Sequence, residues 1–358
     1  MSNKHQKFIS AKKVKSIKCD YLLLLGERAN GKSYCVKSIA VQDAIDNDNM
    51  FIYLKRYDLE VKDSLCVAYF ADMPIQEMTK GEYTCIDVFR KGIYLANTDP
   101  DTGKVTRGKK IGICHSLSTA EHYKSLQFPD VKTIIYEEVI SMNGTYLPGN
   151  EPDMLQQYVS SIFRRRKGKV YLIANKISRL CPYYTAWELD INSMKNGQVK
   201  HFVKENDNGD DTDIAVYLTE SFNTNSGMFF GRAAKNITKG GYEVQEQPRL
   251  PHDMKEYRRV YEVVMKYDNI MFMLYFLCHN ETGEHTWYVT PKTTAVRPNS
   301  RVVSKEFSTS PLHTMFLRGI SEAENKIFNM LKSGQVCFSD DLTGTEFNNI
   351  LPKFLGIR

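Results

Sequence analysis

The run Gly26-Glu27-Arg28-Ala29-Asn30-Gly31-Lys32-Ser33 limits the fold more than any other stretch of the chain. It has the form G-x-x-x-x-G-K-S, which cradles a phosphate only where a strand delivers it and a helix leaves it. Backbone N–H groups of the turn and of the helix N-terminus then converge on the anion. Both flanks are present. Tyr21–Leu25 is short and uniformly apolar, as a strand buried on both faces requires. Ser33–Ile45 follows, with Val36, Ile39, Ala40 and Ala44 at helical spacing. On this reading Gly26 to Tyr34 binds ATP, Lys32 reaches the β- and γ-phosphates, and the Ser33 hydroxyl ligates Mg²⁺.

Hydrolysis needs an acidic residue at the end of another core strand. Val131–Tyr136 is such a run, and Glu137-Glu138 follows it. Glu137 is read as the magnesium-holding carboxylate, acting through the ion's water shell, and Glu138 as the base that orients and deprotonates the attacking water. Aspartate is usual at the first of these positions; Glu137 is one methylene longer. Asn175 closes the next strand, Val170–Ala174. It contacts the γ-phosphate or the water, or else simply turns the chain. The helix Pro152–Arg166 ends in Arg164-Arg165-Arg166-Lys167, either a solvated end that complements the helix dipole or the source of an arginine finger for a neighbouring subunit. Lys55, Arg56 and Lys124 are weaker basic candidates near the same sheet edge. His115 and His122 have no partners at metal spacing and read as ordinary polar residues.

Phe51–Leu54 adds a strand, Tyr83–Val88 and Ile93–Leu95 are short strand-like pieces, and Ser118–Ser125 reads as a helix. Strands alternating with helices imply an α/β layer with a mainly parallel sheet. The composition then turns polar over 192–212 and rich in Gly, Asn and Lys over 223–241. Beyond that, Arg259–Tyr267, Ile270–Cys278 and His285–Thr290 read as an antiparallel meander, and Ser321–Leu331 as a closing helix. The organisation expected is an ATPase domain at 1–220, a linker at 221–250 and a smaller α+β domain at 251–358. A length of 358 residues suits two domains.

The eight cysteines form no C-x-x-C pair, which suits a reducing compartment. The basic N-terminus lacks the apolar run of a signal peptide. The longest apolar stretch, Ile270–Cys278, is about half of the roughly 20 residues a membrane span needs. A soluble intracellular protein without a membrane partner is expected. The net charge of +6 permits a nucleic-acid partner without demanding one.

Taken together, Gly26–Tyr34, Phe51–Tyr57, Phe128–Val139, Tyr146–Glu151, Ile162–Arg166, Leu172–Ser178 and Pro182-Tyr183 resemble the DNA-packaging ATPases of φ29-type phages. They occur in the family's order over most of residues 20 to 190. The resemblance implies a P-loop NTPase domain of the ASCE type with a ribonuclease H-like second domain that has lost its nuclease acids. It implies a homopentameric ring that pumps double-stranded DNA into an empty procapsid at the portal vertex, in the cytoplasm of the infected host. In some relatives a phage-encoded RNA mediates docking, which this sequence neither requires nor excludes. The family's trans-acting arginine falls on Arg164, and Lys124 matches a position proposed to act across the subunit interface. Glu137 departs from the family's aspartate. The second domain's basic residues, among them Arg258, Arg259, Lys292, Arg297, Arg301 and Lys305, suit docking on nucleic acid or portal. Two other readings stand beside this one: a terminase-type motor with an active nuclease, and an assembly module switched by ATP.

Overall fold

The computed structural model of this chain describes residues 8–141, 146–175, 181–191, 194–206, 209–220, 246–267, 270–292, 294–315, 317, 319 and 321–355. Contacts divide the chain into two compact units, Met1–Gly241 and Tyr242–Arg358. The expected linker falls for the most part outside the described residues.

In the first unit, β1 (Tyr21–Gly26) is apolar throughout because it lies in the middle of a sheet covered on both faces. The other strands are β2 (Met50–Lys55), β3 (Cys85–Phe89), β4 (Gly92–Thr98), β5 (Val105–Ser116), β6 (Val131–Glu137), β7 (Lys169–Asn175), β8 (Val199–Glu205) and β9 (Asp211–Leu218). Their order is β3-β4-β5-β2-β6-β7-β1-β9-β8. The six strands from β5 to β9 in this order run parallel, and β4 and β8 join them antiparallel. One strand, β7, separates β1 from β6, so the phosphate loop and the acidic strand end flank Asn175. This is the mainly parallel sheet that the alternating strands and helices imply.

Alternate side chains of each strand enter different cores. Leu22, Leu24, Ile135 and Ile173 pack with α2 (Lys32–Asn47) and α3 (Asp63–Phe70). Leu23, Leu25, Ile134, Tyr136, Leu172 and Ala174 pack with α5 (Glu151–Phe163) and α6 (Pro182–Ala186). Two further helices, α1 (Ala11–Ser16) and α4 (Ile75–Met78), complete the α-helices described in this unit.

Several expectations are corrected. β5 was not anticipated, because its first half is exposed and polar while its buried half carries Gly112 and His115. β8 and β9 lie where the chain reads as polar: β8 is an edge strand, and β9 opens with Asp211-Thr212-Asp213 before its buried run. The helix expected over Ser118–Ser125 is a 3-10 helix over Leu117–Tyr123, broken at Thr119. The helix α5 stops at Phe163, so Arg164 to Lys167 lie beyond its end.

The second unit has a mixed sheet of β10 (Tyr257–Tyr267), β11 (Ile270–His279), β12 (His285–Pro291), β13 (Val302–Ser304), β14 (His313–Met315) and β15 (Val336–Phe338), ordered β14-β13-β10-β11-β12-β15. The first three form the expected meander; β13 runs parallel to β10 and β14 to β13. The connection between β10 and β11, at 268–269, lies outside the described residues. The helix α7 (Glu322–Lys332) is opened by a capping box between Ser321 and Glu324. It buries Phe328 against the Trp287 ring, and the Trp287 indole N–H donates to the Ile327 carbonyl at 2.8 Å. The last helix is α8 (Asp341–Leu355). Arg301 is a further correction: its side chain is nearly buried, 3.6 Å from Glu324, and is not an exposed docking charge.

Candidate nucleotide site

The loop after β1 turns in a conformation its residues make possible. Gly31 has φ +84 and caps the N-terminus of α2, while Ala29 also takes a positive φ of 59. Gly26 is required for a different reason. A Cβ there would lie 1.9 Å from the Thr219 hydroxyl and 2.7 Å from the Asn30 amide nitrogen. Asn30 is buried and donates to Thr219 Oγ1 at 2.6 Å, and the Thr219 N–H donates to the Leu25 carbonyl at 2.8 Å. The end of β9 thus braces the loop. The sequence reading missed Thr219 because β9 itself was missed.

Lys32 is buried. Its ammonium donates to the Glu27 carbonyl at 2.5 Å, to Asn30 Oδ1 at 3.1 Å and to Asn175 Oδ1 at 3.2 Å. Burial lowers its pKa to about 8, against the opposing attraction of Glu137 and Glu27. Asn175 faces Gly26 across the β1–β7 pairing, which places it at the loop.

Glu137 ends β6 and is also buried. Burial raises its pKa, and hydrogen bonds from the Tyr69 and Ser33 hydroxyls oppose the rise. The next residue, Glu138, has φ 58 and an exposed carboxylate, which accepts from Lys55 Nζ at 3.0 Å. Arg28 through Tyr34, Glu137, Glu138 and Ile173 through Asn175 line one cleft of about 290 Å³. The structure therefore gathers the expected loop, acidic pair and strand-end amide around a single space.

Arg56, a weak basic candidate in the sequence, is fully engaged. It pairs with the buried Glu151 through Nε (2.9 Å) and Nη2 (3.0 Å), and donates to the carbonyls of Glu138 and Val139 at 3.2 and 2.8 Å. Glu151 also accepts from Tyr136 Oη, Tyr183 Oη and the Leu147 N–H. This cluster fixes the backbone that presents Glu138.

Lys124 and Arg164 are elsewhere. Arg164 follows a 13-residue helix, about 20 Å long, whose first residue is Glu151 beside the cleft. Arg164 is exposed, with φ 53 and ψ −115, and its Nη2 donates to the Leu126 carbonyl at 3.4 Å. Arg166 bonds the Pro129 carbonyl just before β6 begins. Exposed Lys124 pairs with Glu121 two residues before Leu126. Both basic candidates stand toward the edge where β6 enters the sheet, and the cleft is at the edge where it leaves. His115 is buried, with Nδ1 2.7 Å from Tyr158 Oη, and burial lowers its pKa to about 3.

A family model described as "Podovirus DNA encapsidation protein (Gp16)" matches residues 4–207, more than half of the chain. The chain belongs to this family. The DNA packaging protein of Bacillus phage B103 is 32% identical over 192 residues, covering 51% of this chain and 52% of that protein. Its counterpart in Bacillus phage phi29 is 29% identical over 178 residues, 48% of each. The chain thus spans about half the length of the curated relatives it matches. A chain of the bacteriophage Phi-29 viral genome packaging motor assembly shares the fold with a TM-score of 0.58 at 20% identity, covering 97% of this chain and 99% of that one. Among the described residues no helix is long and apolar enough to cross a membrane.

In the second unit, the group of His, Cys, Asp and Glu side chains close enough to share a metal ion, among the described residues, is His252, Glu256 and His279. The Thr282 N–H donates to His279 Nδ1 at 3.1 Å, which leaves the neutral ring's proton on Nε2. That nitrogen faces Glu256 and has no lone pair to offer a metal.

Proposed function

We propose that the chain is an ATP-hydrolysing motor that drives double-stranded DNA into an empty procapsid, working as a ring of identical subunits at the portal. The observation that carries this reading is the convergence of Lys32, Ser33, Glu137, Glu138 and Asn175 on one cleft at the C-terminal ends of β1, β6 and β7. Family membership supplies the setting, and the likeness to packaging proteins supports DNA and portal as partners.

The loop N–H groups and the start of α2 hold the phosphates. Lys32 leaves the Glu27 and Asn30 oxygens to meet the β- and γ-phosphates. Its bond to Asn175 couples that side chain to the arrival of the phosphate, and Asn175 is then positioned to bind the γ-phosphate or the water. Glu138 orients the water and takes its proton. The oxygen donors of Ser33 and Glu137, already hydrogen-bonded to each other, fit a magnesium ion that keeps several waters. Bound there, Mg²⁺ would neutralise charge on the β- and γ-phosphate oxygens.

Arg164 serves a neighbouring subunit's cleft, since the length of α5 separates it from its own. Lys124 acts from the same edge. DNA in the channel is gripped through its phosphates, which read no sequence.

The test is ATP turnover in the presence of DNA and empty procapsids. Glu138→Gln is expected to lose about 10²-fold or more while still binding ATP. Lys32→Ala is expected to lose turnover together with tight nucleotide binding. Full turnover by Glu138→Gln would overturn the assignment of the base.

A further inference from the structure

We propose that Tyr69 is a positioning residue that sets the reach of Glu137 toward the metal. The proposal rests on the reading of Glu137 as the metal-holding carboxylate. Tyr69 Oη donates to Glu137 Oε1 at 2.5 Å. No motif includes Tyr69; it arrives from α3, far from the loop in sequence.

The ring is held from three sides. The ring stacks on Tyr53 with centroids 4.3 Å apart and meets Phe70 edge-on at 4.9 Å. Lys37 Nζ stands 4.4 Å from the ring centroid, donates to the Tyr69 carbonyl and pairs with Asp72. A tyrosine locked in this way cannot follow a carboxylate that moves.

The consequence concerns length. A carboxylate one methylene shorter would be withdrawn by about 1.5 Å, the length of a C–C bond. It would then leave the half-buried Tyr69 hydroxyl without this partner. With glutamate, one oxygen is tied to Tyr69 while the group also accepts from Ser33. Partners of metal ligands commonly change metal affinity by about 10–100-fold when removed.

The experiment measures ADP binding by the full chain across a Mg²⁺ titration, and again in EDTA. Tyr69→Phe keeps the ring contacts and is expected to raise the Mg²⁺ needed for half-maximal tightening about tenfold, with binding in EDTA unchanged. Glu137→Asp is expected to weaken the Mg²⁺ dependence by a similar factor. Adding Tyr69→Phe to Glu137→Asp should then change it no further. A wild-type Mg²⁺ midpoint in Tyr69→Phe, or an undiminished one in Glu137→Asp, would overturn the proposal. Mg²⁺-independent ADP binding by the wild type would instead overturn the reading of the site itself. Should Tyr69→Phe fail to fold, the Glu137→Asp titration decides alone.

Discussion

Arg56 and Glu151 form a two-point ion pair with both partners buried, and the same guanidinium holds the Glu138 carbonyl. The pair links the end of β2, the start of α5 and the turn that follows β6. Removing one partner of such a pair leaves a buried charge alone, which costs about 3–5 kcal/mol. Arg56→Ala is therefore expected to lose that much in denaturant unfolding. Lys at position 56 should not restore it, because a single ammonium cannot reproduce the two-point geometry.

Lys32 makes nucleotide binding depend on pH in a definite sense. Its pKa is lowered to about 8 in the folded chain. Below that pH the ammonium is charged in both folded and unfolded states, and the burial penalty is complete. As pH rises from 8 toward the unfolded value, the unfolded chain keeps a proton that the folded one has released, so stability without nucleotide rises. Phosphate beside Lys32 restores the charged form. Calorimetry in two buffers of different ionisation heat should thus show proton uptake on ATP binding at pH 9 and little at pH 7. Equal uptake at both would contradict the account.

Gly26 and Thr219 test the brace behind the loop. Gly26→Ala puts a methyl 1.9 Å from the Thr219 hydroxyl. Overpacking of this kind costs about 1–3 kcal/mol, and here it also displaces Asn30, so ATP affinity should fall. Adding Thr219→Ala should recover part of both losses. Additive damage in the double variant would show that the clash lies elsewhere.

Arg164 takes a backbone conformation that suits glycine. Such strain costs on the order of 1–3 kcal/mol and recurs where function demands a particular side chain. Arg164→Gly is expected to raise the stability of the isolated chain by about 1 kcal/mol and to abolish turnover in the assembled ring. A destabilised chain, or retained turnover, would contradict the assignment.

The parts legible in the sequence were those governed by local pattern. Tyr21–Leu25 and Val131–Tyr136 announce buried strands by uniform apolarity, and Gly26 to Ser33 announces its own turn. Thr219 and Tyr69 were invisible for a common reason. Each reaches the site through tertiary contacts, one at the loop from the end of a strand that opens with polar residues, the other at Glu137 from a helix without a motif. Arg56 shows the converse, since a basic residue near the site reads as an exposed candidate until its buried partner Glu151 is seen. The expectation that the basic run continues a helix failed at Arg164, where the chain turns to a positive φ. The helix length and the bond of Arg164 to the Leu126 carbonyl then show which end of the sheet it occupies.

Action of Arg164 in trans means that each cleft needs a residue from another subunit. Its most direct test mixes Lys32→Ala chains, which keep Arg164, with Arg164→Ala chains, which keep an intact cleft, and measures ATP turnover with DNA and procapsids. The account predicts turnover by the mixture well above that of either variant alone. No recovery at any mixing ratio, with assembly shown to be intact, would contradict it.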